Sequence, residues 1–273
     1  MEIEQEKENQ KNSFCQEYFK ETWENLLVDE KKFYPKINSN YMTIQNELRP
    51  KMREILVDWI IEVHTQYRFK KKTLFHCIFI IDLYLSKNIV ERKNLQLLGI
   101  AALLIASKET EIFFPKLQNL SDISDHSYTK KEINEMEIKV MQDFNFDILS
   151  PTAEEFYELI AESSEFTGKQ RNFGEYFLVA SLSDYSLLKY RPSIIAVSCY
   201  YIVNKFFDLN EVNSLLNQPF LGANPEEVKV CVSDLCNCVK NLSNSNLEAT
   251  KKKYSEIAEM CKGDDWIIKI NSI

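Results

Sequence analysis

Residues 95–107 read LQLLGIAALLIAS and lie between Lys93 and Lys108. This stretch contains no charged residue, so a helix formed by it has no charged face to turn towards water. A helix that is apolar all round must be surrounded by other helices. A second run of the same kind, residues 193–204, reads SIIAVSCYYIVN between two basic residues. We therefore predict two helical bundles, each built around its own buried central helix.

The spacing of these two runs indicates an internal repeat. Lys93 and Arg191, which precede the runs, are 98 positions apart, and Lys108 and Lys205, which end them, are 97 positions apart. A similar offset separates two further pairs of predicted helix starts. Few residues are identical between the two halves, so the repeat is indicated by spacing rather than by similarity.

Four predicted helix starts carry the capping-box pattern, in which a Ser, Thr or Asn and a Glu three residues later satisfy backbone N–H groups. The pairs are Thr129 with Glu132, Thr152 with Glu155, Asn224 with Glu227, and Ser245 with Glu248. Together with the apolar periodicity, they predict a leading helix and five helices in each half. The leading helix covers about 13–30 and the first five about 50–68, 73–87, 94–108, 117–124 and 130–144. The second five cover about 152–165, 170–187, 192–207, 225–241 and 247–260.

The predicted fold is therefore all-α, with two tandem five-helix bundles after an N-terminal helix. We expect a polar N-terminus and helix over 1–48, a first bundle over 49–150, a second bundle over 151–262 and a tail over 263–273. The chain has only five Gly and seven Pro in 273 residues, and this low content agrees with an all-α fold. Proteins built as β-sandwiches or barrels, and phosphate-binding loops, require both residue types at their turns and close backbone approaches.

Composition and charge exclude several classes of protein. The chain has 33 Lys and Arg against 41 Asp and Glu, a net charge of −8, which opposes non-specific nucleic-acid binding. No apolar run reaches the ~20 residues that a bilayer requires, and residues 1–12 are too charged for a signal peptide. Seven Cys without a C-x-x-C pair fit a reducing compartment. We expect a protein of the nucleus, the cytoplasm or both, with no membrane or nucleic-acid partner.

Motifs for catalysis and for cofactor binding do not occur in the sequence. It has no G-x-G-x-x-G or G-x-x-x-x-G-K-[ST] loop for nucleotides, and its three His lack the H-E-x-x-H spacing. Cys231, Cys236 and Cys238 have a spacing that suits zinc poorly and lie on a predicted amphipathic helix, which favours core thiols. We expect no catalytic residue, no metal, no cofactor and no small-molecule substrate.

The helix that opens at Met52 carries more apolar surface than one bundle face needs. Residues 52–63 read MREILVDWIIEV. At 100° per residue, one face contains Met52, Ile55, Leu56, Trp59 and Val63, and the adjoining arc is also apolar. Two interpretations stay open: a deeply buried helix, or a helix whose surplus face lines an exposed groove for a peptide, with Trp59 as its floor.

Residues 52–59, MREILVDW, closely resemble the first-helix signature of A- and B-type cyclins. The similarity continues through 95–97, 106–108, 128–132 and 136–137, and residues 188–193 (LKYRPS) resemble the third-helix opening of a mitotic-type C-terminal cyclin box. It covers about residues 15–265. The resemblance implies two tandem cyclin boxes in a non-enzymatic subunit. Such a subunit activates a cyclin-dependent Ser/Thr protein kinase in cell-cycle control, by packing against its regulatory C-helix and ordering its activation loop.

By that resemblance, Lys108 and Glu137 occupy the positions of a Lys–Glu pair that hydrogen-bonds the kinase backbone. The apolar kinase-binding surface around the pair is implied at Ile105, Met141, Phe146 and Ile148. Glu109, which falls on the same surface, departs from the pattern, because the family usually has an aromatic directly after the Lys. An acidic residue there either weakens the pairing or selects a kinase with a complementary basic residue.

The resemblance also implies a substrate-docking patch on the Met52 helix and the start of the 95–107 helix. Its positions are retained at Met52, Ile55, Leu56, Trp59, Glu62, Arg92, Leu95 and Gln96. In the family this groove takes an Arg-x-Leu peptide, so the apolar residues are expected to receive the Leu and Glu62 the cationic residue. Substrates or inhibitors with such motifs are therefore expected partners beside the kinase.

Two alternative functions stay open. A cyclin-fold transcription factor would bind promoter DNA and polymerase, but the net charge of −8 and the lack of a zinc ribbon oppose it. A transcription-kinase cyclin is opposed by the complete docking patch.

Overall fold

The computed structural model describes residues 2–209 and 222–271, with side chains from 18 to 209 and from 222 to 270, and within these residues it contains no β-strand. After the N-terminal helix α1 (Glu2–Phe33), the first bundle consists of α2 (Pro50–Tyr67), α3 (Lys71–Lys87), α4 (Leu95–Thr110), α5 (Leu117–Ile123) and α6 (Lys130–Asp143). The second contains α7 (Ala153–Ser163), α8 (Gly168–Ser183), α9 (Pro192–Phe206), α10 (Pro225–Ser243), α11 (Ala249–Lys253), α12 (Ser255–Met260) and α13 (Asp265–Asn271). The prediction of an all-α fold with tandem bundles is confirmed.

The central helix of each bundle is the apolar run that the sequence singled out. In α4 every residue over 97–107 is buried, and α2, α3 and α6 pack around it. Helix α9 is enclosed in the same way by α7, α8 and α10. Gly99 lets α2 approach α4 closely, because a Cβ there would lie 2.8 Å from Cδ1 of Leu56.

Two of the predicted capping boxes are confirmed. Thr129 with Glu132 and Thr152 with Glu155 each form the reciprocal pair of hydrogen bonds. The box at Asn224 with Glu227 is wrong, because Asn224 Oδ1 instead accepts from the N–H of Glu226 at 3.0 Å. The sequence analysis also missed a box, at Thr167 with Gln170, which starts α8 earlier than predicted.

The box at Ser245 with Glu248 is also wrong, because a side chain from the first bundle takes its place. Asp58 of α2 accepts from the N–H of Glu248 at 3.3 Å and of Ala249 at 3.0 Å, so that α11 starts at Ala249. The helix predicted over 247–260 is consequently two short helices that break at Tyr254.

Three further boundaries differ from the prediction. Helix α1 begins at Glu2 rather than near residue 13. Helix α8 ends at Ser183, and a 3₁₀ turn over Tyr185–Lys189 follows, because the side chain of Asp184 accepts from the N–H of Ser186 at 2.9 Å. The segment 263–273, predicted as a tail, carries α13 and buries Trp266 against the second bundle.

Buried polar contacts tie α1 and α2 to the second bundle. Arg53 of α2 is 1% exposed; its Nε and Nη2 donate to Asp82 at 2.7 Å each, and its Nη1 donates to the carbonyl of Leu182 at 2.8 Å. Glu30 of α1 is fully buried and accepts from the N–H and the Oγ of Ser193, at 2.7 and 2.8 Å. Because Ser193 lies in the first turn of α9, Glu30 caps that helix from outside the bundle.

The predicted core thiols Cys231, Cys236 and Cys238 are buried in the apolar interior of the second bundle. Burial raises the pKa of Cys231 and of Cys236 to about 12. In the part of the chain that the structure describes, no helix is both long and apolar enough to cross a bilayer.

Candidate functional site

The predicted Lys–Glu pair lies where α4 meets α6. Lys108 follows directly on the buried run of α4, and Glu137 lies on the facing side of α6. The Nζ of Lys108 is 2.6 Å from Oε1 of Glu137. The side chain of Lys108 is 41% exposed and that of Glu137 13%. The structure therefore brings the two together, with the ammonium group at the surface and the carboxylate partly sheltered.

The apolar residues predicted around this pair divide into core and surface. Ile105 and Ile148 are 5% and 4% exposed and belong to the core, so they support the surface from beneath rather than form it. Met141 is half-buried, and Phe146 is 67% exposed. Phe146 has a left-handed backbone (φ 61°) in the loop that follows α6, where it projects a large apolar side chain into solvent.

Three large apolar residues in the connection between α4 and α5, next to Lys108, were not predicted from the sequence. Ile112, Phe113 and Phe114 are 82%, 88% and 51% exposed, and the Nζ of Lys108 lies 5.9 Å from the ring centroid of Phe114. The signal was present as three consecutive large apolar residues ahead of Pro115, but they lie in a loop, where helical periodicity carries no information.

The residues on both sides of this exposed segment are held by the fold. The carboxylate of Glu111 accepts from the N–H of Lys70 at 2.6 Å and from the hydroxyl of Thr73. On the other side, Pro115 is buried. We refer to residues 112–114 as the aromatic segment.

Glu109 is an exposed residue whose carboxylate contacts a buried histidine. Its Oε2 lies 2.7 Å from Nδ1 of His76, a residue that is 2% exposed. The other ring nitrogen of His76 lies 3.9 Å from Oε2 of Glu155, in the first turn of α7. Burial by itself would lower the pKa of His76, but the hydrogen bond with Glu109 and the carboxylate charges of Glu109 and Glu155 outweigh burial and raise the pKa to about 9. The imidazolium therefore links the end of α4 to the second bundle.

The residues predicted to dock substrates lie on the outer side of α2 and at the start of α4. Ile55 is 55% exposed, and Glu62 and Arg92 are also exposed. Half-buried members of the patch are Met52, Trp59 and Gln96. Leu56 and Leu95 belong to the core at 5% and 7% exposure and form its underside. The wide apolar arc is therefore divided, because α2 buries one side of it in the bundle and leaves another in solvent.

Comparisons with known proteins cover most of the chain. Residues 21–149 match the family described as "Cyclin, N-terminal domain", and residues 151–262 match "Cyclin, C-terminal domain". G2/mitotic-specific cyclin-B of Hydra vulgaris is 32% identical over 243 residues, which cover 89% of this chain and 66% of that protein. Cyclin-A2-1 of Oryza sativa subsp. japonica is 32% identical over 262 residues, 93% of this chain and 53% of that protein. The chain thus spans about half to two thirds of the length of these relatives.

A solved structure shares the architecture. The viral cyclin from herpesvirus saimiri superposes with a TM-score of 0.71 at 19% sequence identity, over 80% of this chain and 96% of that chain. At this identity the likeness concerns the fold of the two bundles.

Proposed function

The chain belongs to the cyclin family, and from that premise we propose that it is a non-catalytic regulatory subunit that binds and activates a cyclin-dependent Ser/Thr protein kinase. The family matches confirm the resemblance that residues 52–59 and 128–132 indicated. The relatives carry the names of mitotic and A-type cyclins, which supports a role in cell-cycle control. We also propose that the protein resides in the nucleus, the cytoplasm or both.

The observation that carries the proposal is the Lys108–Glu137 pair, 2.6 Å apart at the surface. An ammonium group offers three N–H donors and a carboxylate offers acceptors, so the pair can satisfy both kinds of backbone group on a partner chain. The aromatic segment places exposed apolar surface next to Lys108, and Phe146 exposes a further apolar side chain after α6. A polar pair beside large apolar side chains is the composition of a protein–protein contact.

The experiment replaces both members of the pair. Lys108→Ala with Glu137→Ala is expected to weaken kinase binding by about 2 kcal/mol or more, which is roughly thirtyfold, because the pair is desolvated in the complex. The matched control is Lys131→Ala with Glu135→Ala, another Lys–Glu pair on α6, whose side chains are 84% and 61% exposed. Binding should be measured by calorimetry and activation by phosphate transfer to a simple peptide. Equal affinity of the two double variants would contradict the proposal.

We further propose that the patch on α2 docks substrates or inhibitors with an Arg-x-Leu motif. The exposed face of Ile55, with Met52 and Trp59 beside it, supports binding of the Leu. The carboxylate of Glu62 is exposed and has no hydrogen-bond or ion-pair partner among residues 18–209 and 222–270, which supports binding of the Arg. In this arrangement the carboxylate of Glu62 binds the Arg of the motif by opposite charge, and the apolar residues around Ile55 bind its Leu.

A further inference from the structure

The three consecutive lysines that end α11 have different surroundings in the folded chain. Lys252 is exposed. The side chain of Lys251 is 18% exposed, and its Nζ lies 2.8 Å from Oε1 of Glu248 and donates to the carbonyl of Ser245 at 2.8 Å. Lys253 is half-buried, because α11 packs against α2 and α8. Three amines of one short segment therefore differ in burial and in partners.

Lys253 is a half-buried cation without a carboxylate partner. Its Nζ forms no ion pair with any residue whose side chain the structure describes, and it contacts Nδ1 of His64 at 3.2 Å. His64 is 3% exposed, and its Nε2 lies 2.9 Å from the carbonyl oxygen of Lys70. Because a carbonyl only accepts, Nε2 carries the proton and Nδ1 accepts from Lys253. Burial and the charge of Lys253 lower the pKa of His64 to about 4, so this partner is neutral.

The carboxylate of Glu175 in α8 attracts Lys253 but binds other donors. Its Oε1 accepts from Nζ of Lys71, and its Oε2 accepts from the hydroxyl of Tyr254 at 3.4 Å. The Nζ of Lys253 lies 5.9 Å from the ring centroid of Tyr254, at the outer limit of a cation–π contact. Burial and the charge of Lys71 lower the pKa of Lys253 to about 8, against the attraction of Glu175. About a quarter of this side chain is then neutral amine at pH 7.5, against about a thousandth for an ordinary lysine.

We propose that Lys253 is a site of acylation, at which the amine reacts with a thioester ahead of the other two lysines of α11. The lone pair of Nζ attacks the carbonyl carbon, so that a C–N bond forms and the C–S bond breaks. The departing thiolate takes the proton that the nitrogen loses, and the products are an amide and a free thiol. A lysine that is desolvated or lies beside another cation is an activated amine nucleophile.

The amide product suits the contacts around Lys253. It keeps one N–H that can donate to Nδ1 of His64, as the amine does. It also removes the half-buried charge that has no carboxylate partner. Acylation is therefore expected to preserve the link between α11 and α2.

The test treats the full chain with acetyl-coenzyme A and measures the initial rate at each of the three lysines by peptide mass spectrometry. At pH 7.5 we expect Lys253 to react about tenfold faster than Lys252. Its larger fraction of neutral amine is partly offset, because nucleophilicity falls with pKa, as it does among thiols. Lys251, which is also half-buried but has an ion-pair partner, should react most slowly. A rate at Lys253 equal to or below that at Lys252 would overturn the inference.

The pH dependence gives a readout that accessibility alone does not produce. The rate at Lys253 should level off above about pH 8, whereas the rate at Lys252 should still rise at about pH 9.5. In denaturing urea the three lysines should react alike, because their different surroundings exist only in the folded chain. A preference for Lys253 that survives in urea, or a rate that keeps rising beyond about pH 9, would contradict the proposal.

Two substitutions at one position separate charge from packing. His64→Asp places a carboxylate oxygen near the position of Nδ1, which gives Lys253 an ion-pair partner and should bring its rate to or below that of Lys252. The matched control His64→Asn places a neutral amide oxygen there and should keep the preference. Circular dichroism checks that both variants are folded, and the pH profile of the natural chain decides if they are not. Equal rates at Lys253 in the two folded variants would overturn the inference.

Discussion

Arg53 and Asp82 form a bidentate ion pair at 1% and 2% exposure, and the third guanidinium contact of Arg53 reaches the backbone of the second bundle at Leu182. The hydroxyl of Tyr41 also donates to Asp82, at 2.8 Å. The pair is therefore surrounded by protein on all sides and satisfied by hydrogen bonds. Loss of one member leaves the other charge buried and alone.

Arg53→Met is expected to lower the free energy of unfolding by about 3–5 kcal/mol. The substitution leaves the buried carboxylate of Asp82 without its charged partner and the carbonyl of Leu182 without its hydrogen-bond donor. Adding Asp82→Leu should recover part of the loss, since the double variant leaves no unpaired buried charge. The control Arg92→Ala removes an exposed guanidinium and should change the stability by about 0.5 kcal/mol or less. Urea unfolding followed by circular dichroism measures all three. A loss below about 1 kcal/mol for Arg53→Met would contradict the role assigned to the pair.

The aromatic segment should contribute to kinase binding. Phe113 is 88% exposed, so Phe113→Ala removes little from the folded chain. Burial of a Phe side chain against a partner is worth about 1.5–3 kcal/mol, and we expect about a tenfold or greater loss of kinase affinity by calorimetry. Val230→Ala, which shortens an exposed apolar side chain on α10, is the control. Unchanged affinity of Phe113→Ala would contradict the assignment of the aromatic segment to the proposed interface. It would leave the role proposed for the Lys108–Glu137 pair unaffected.

The docking patch is tested best at Ile55, because Trp59 also packs against both core clusters and its loss would damage the fold. Ile55→Ala should reduce the ratio of phosphorylation rates on an Arg-x-Leu substrate and on a simple peptide by about five- to tenfold. The measurement is made with the assembled kinase complex at substrate concentrations below KM. If both rates fall in parallel, the substitution has harmed the complex and the docking assignment at Ile55 is wrong.

His76 should make stability fall at alkaline pH. The pKa of His76 is about 9 in the folded chain against an ordinary value near 6.5, so the folded state binds the proton more tightly than the unfolded state. Its contribution, on the order of 3 kcal/mol, is fully present below pH ~6.5 and is lost as the pH rises through ~9.

The measurement is the free energy of unfolding of the natural chain and of His76→Gln between pH 6 and 9.5. Only their difference isolates the imidazole. Burial lowers the pKa of Lys253 to about 8, and burial with the charges of Glu158 and Glu155 raises that of Glu154 to about 7, so both titrate in the same range. His126→Gln, at an exposed position, should follow the natural chain. A difference that does not change with pH would refute the assignment.

The elements of the fold were predictable where the signal is local. The apolar runs at 95–107 and 193–204 identify α4 and α9 by composition alone, and two capping boxes mark true starts. The start of α11 was not predictable, because its cap is Asp58, 190 positions earlier. A short helix that a distant side chain caps has no pattern of its own in the sequence.

The candidate sites show the same division between local and distant causes. The resemblance identified Lys108 and Glu137, which the structure brings together. A helical projection could not tell that Ile105 lies in the core while Ile55 lies at the surface, since both belong to apolar faces. Glu109 contacts His76, 33 positions before it, so the sequence revealed the departure from the family pattern but not the partner of the acidic side chain.

Two helices of the second bundle obtain their N-terminal caps from residues outside it, α9 from Glu30 and α11 from Asp58. Both of these capping residues precede the second bundle in the chain. During synthesis on the ribosome they emerge before the helices that need them, so an already folded amino-terminal half can serve as a template for the half made last. The order of translation thus matches the order in which this molecule can be assembled.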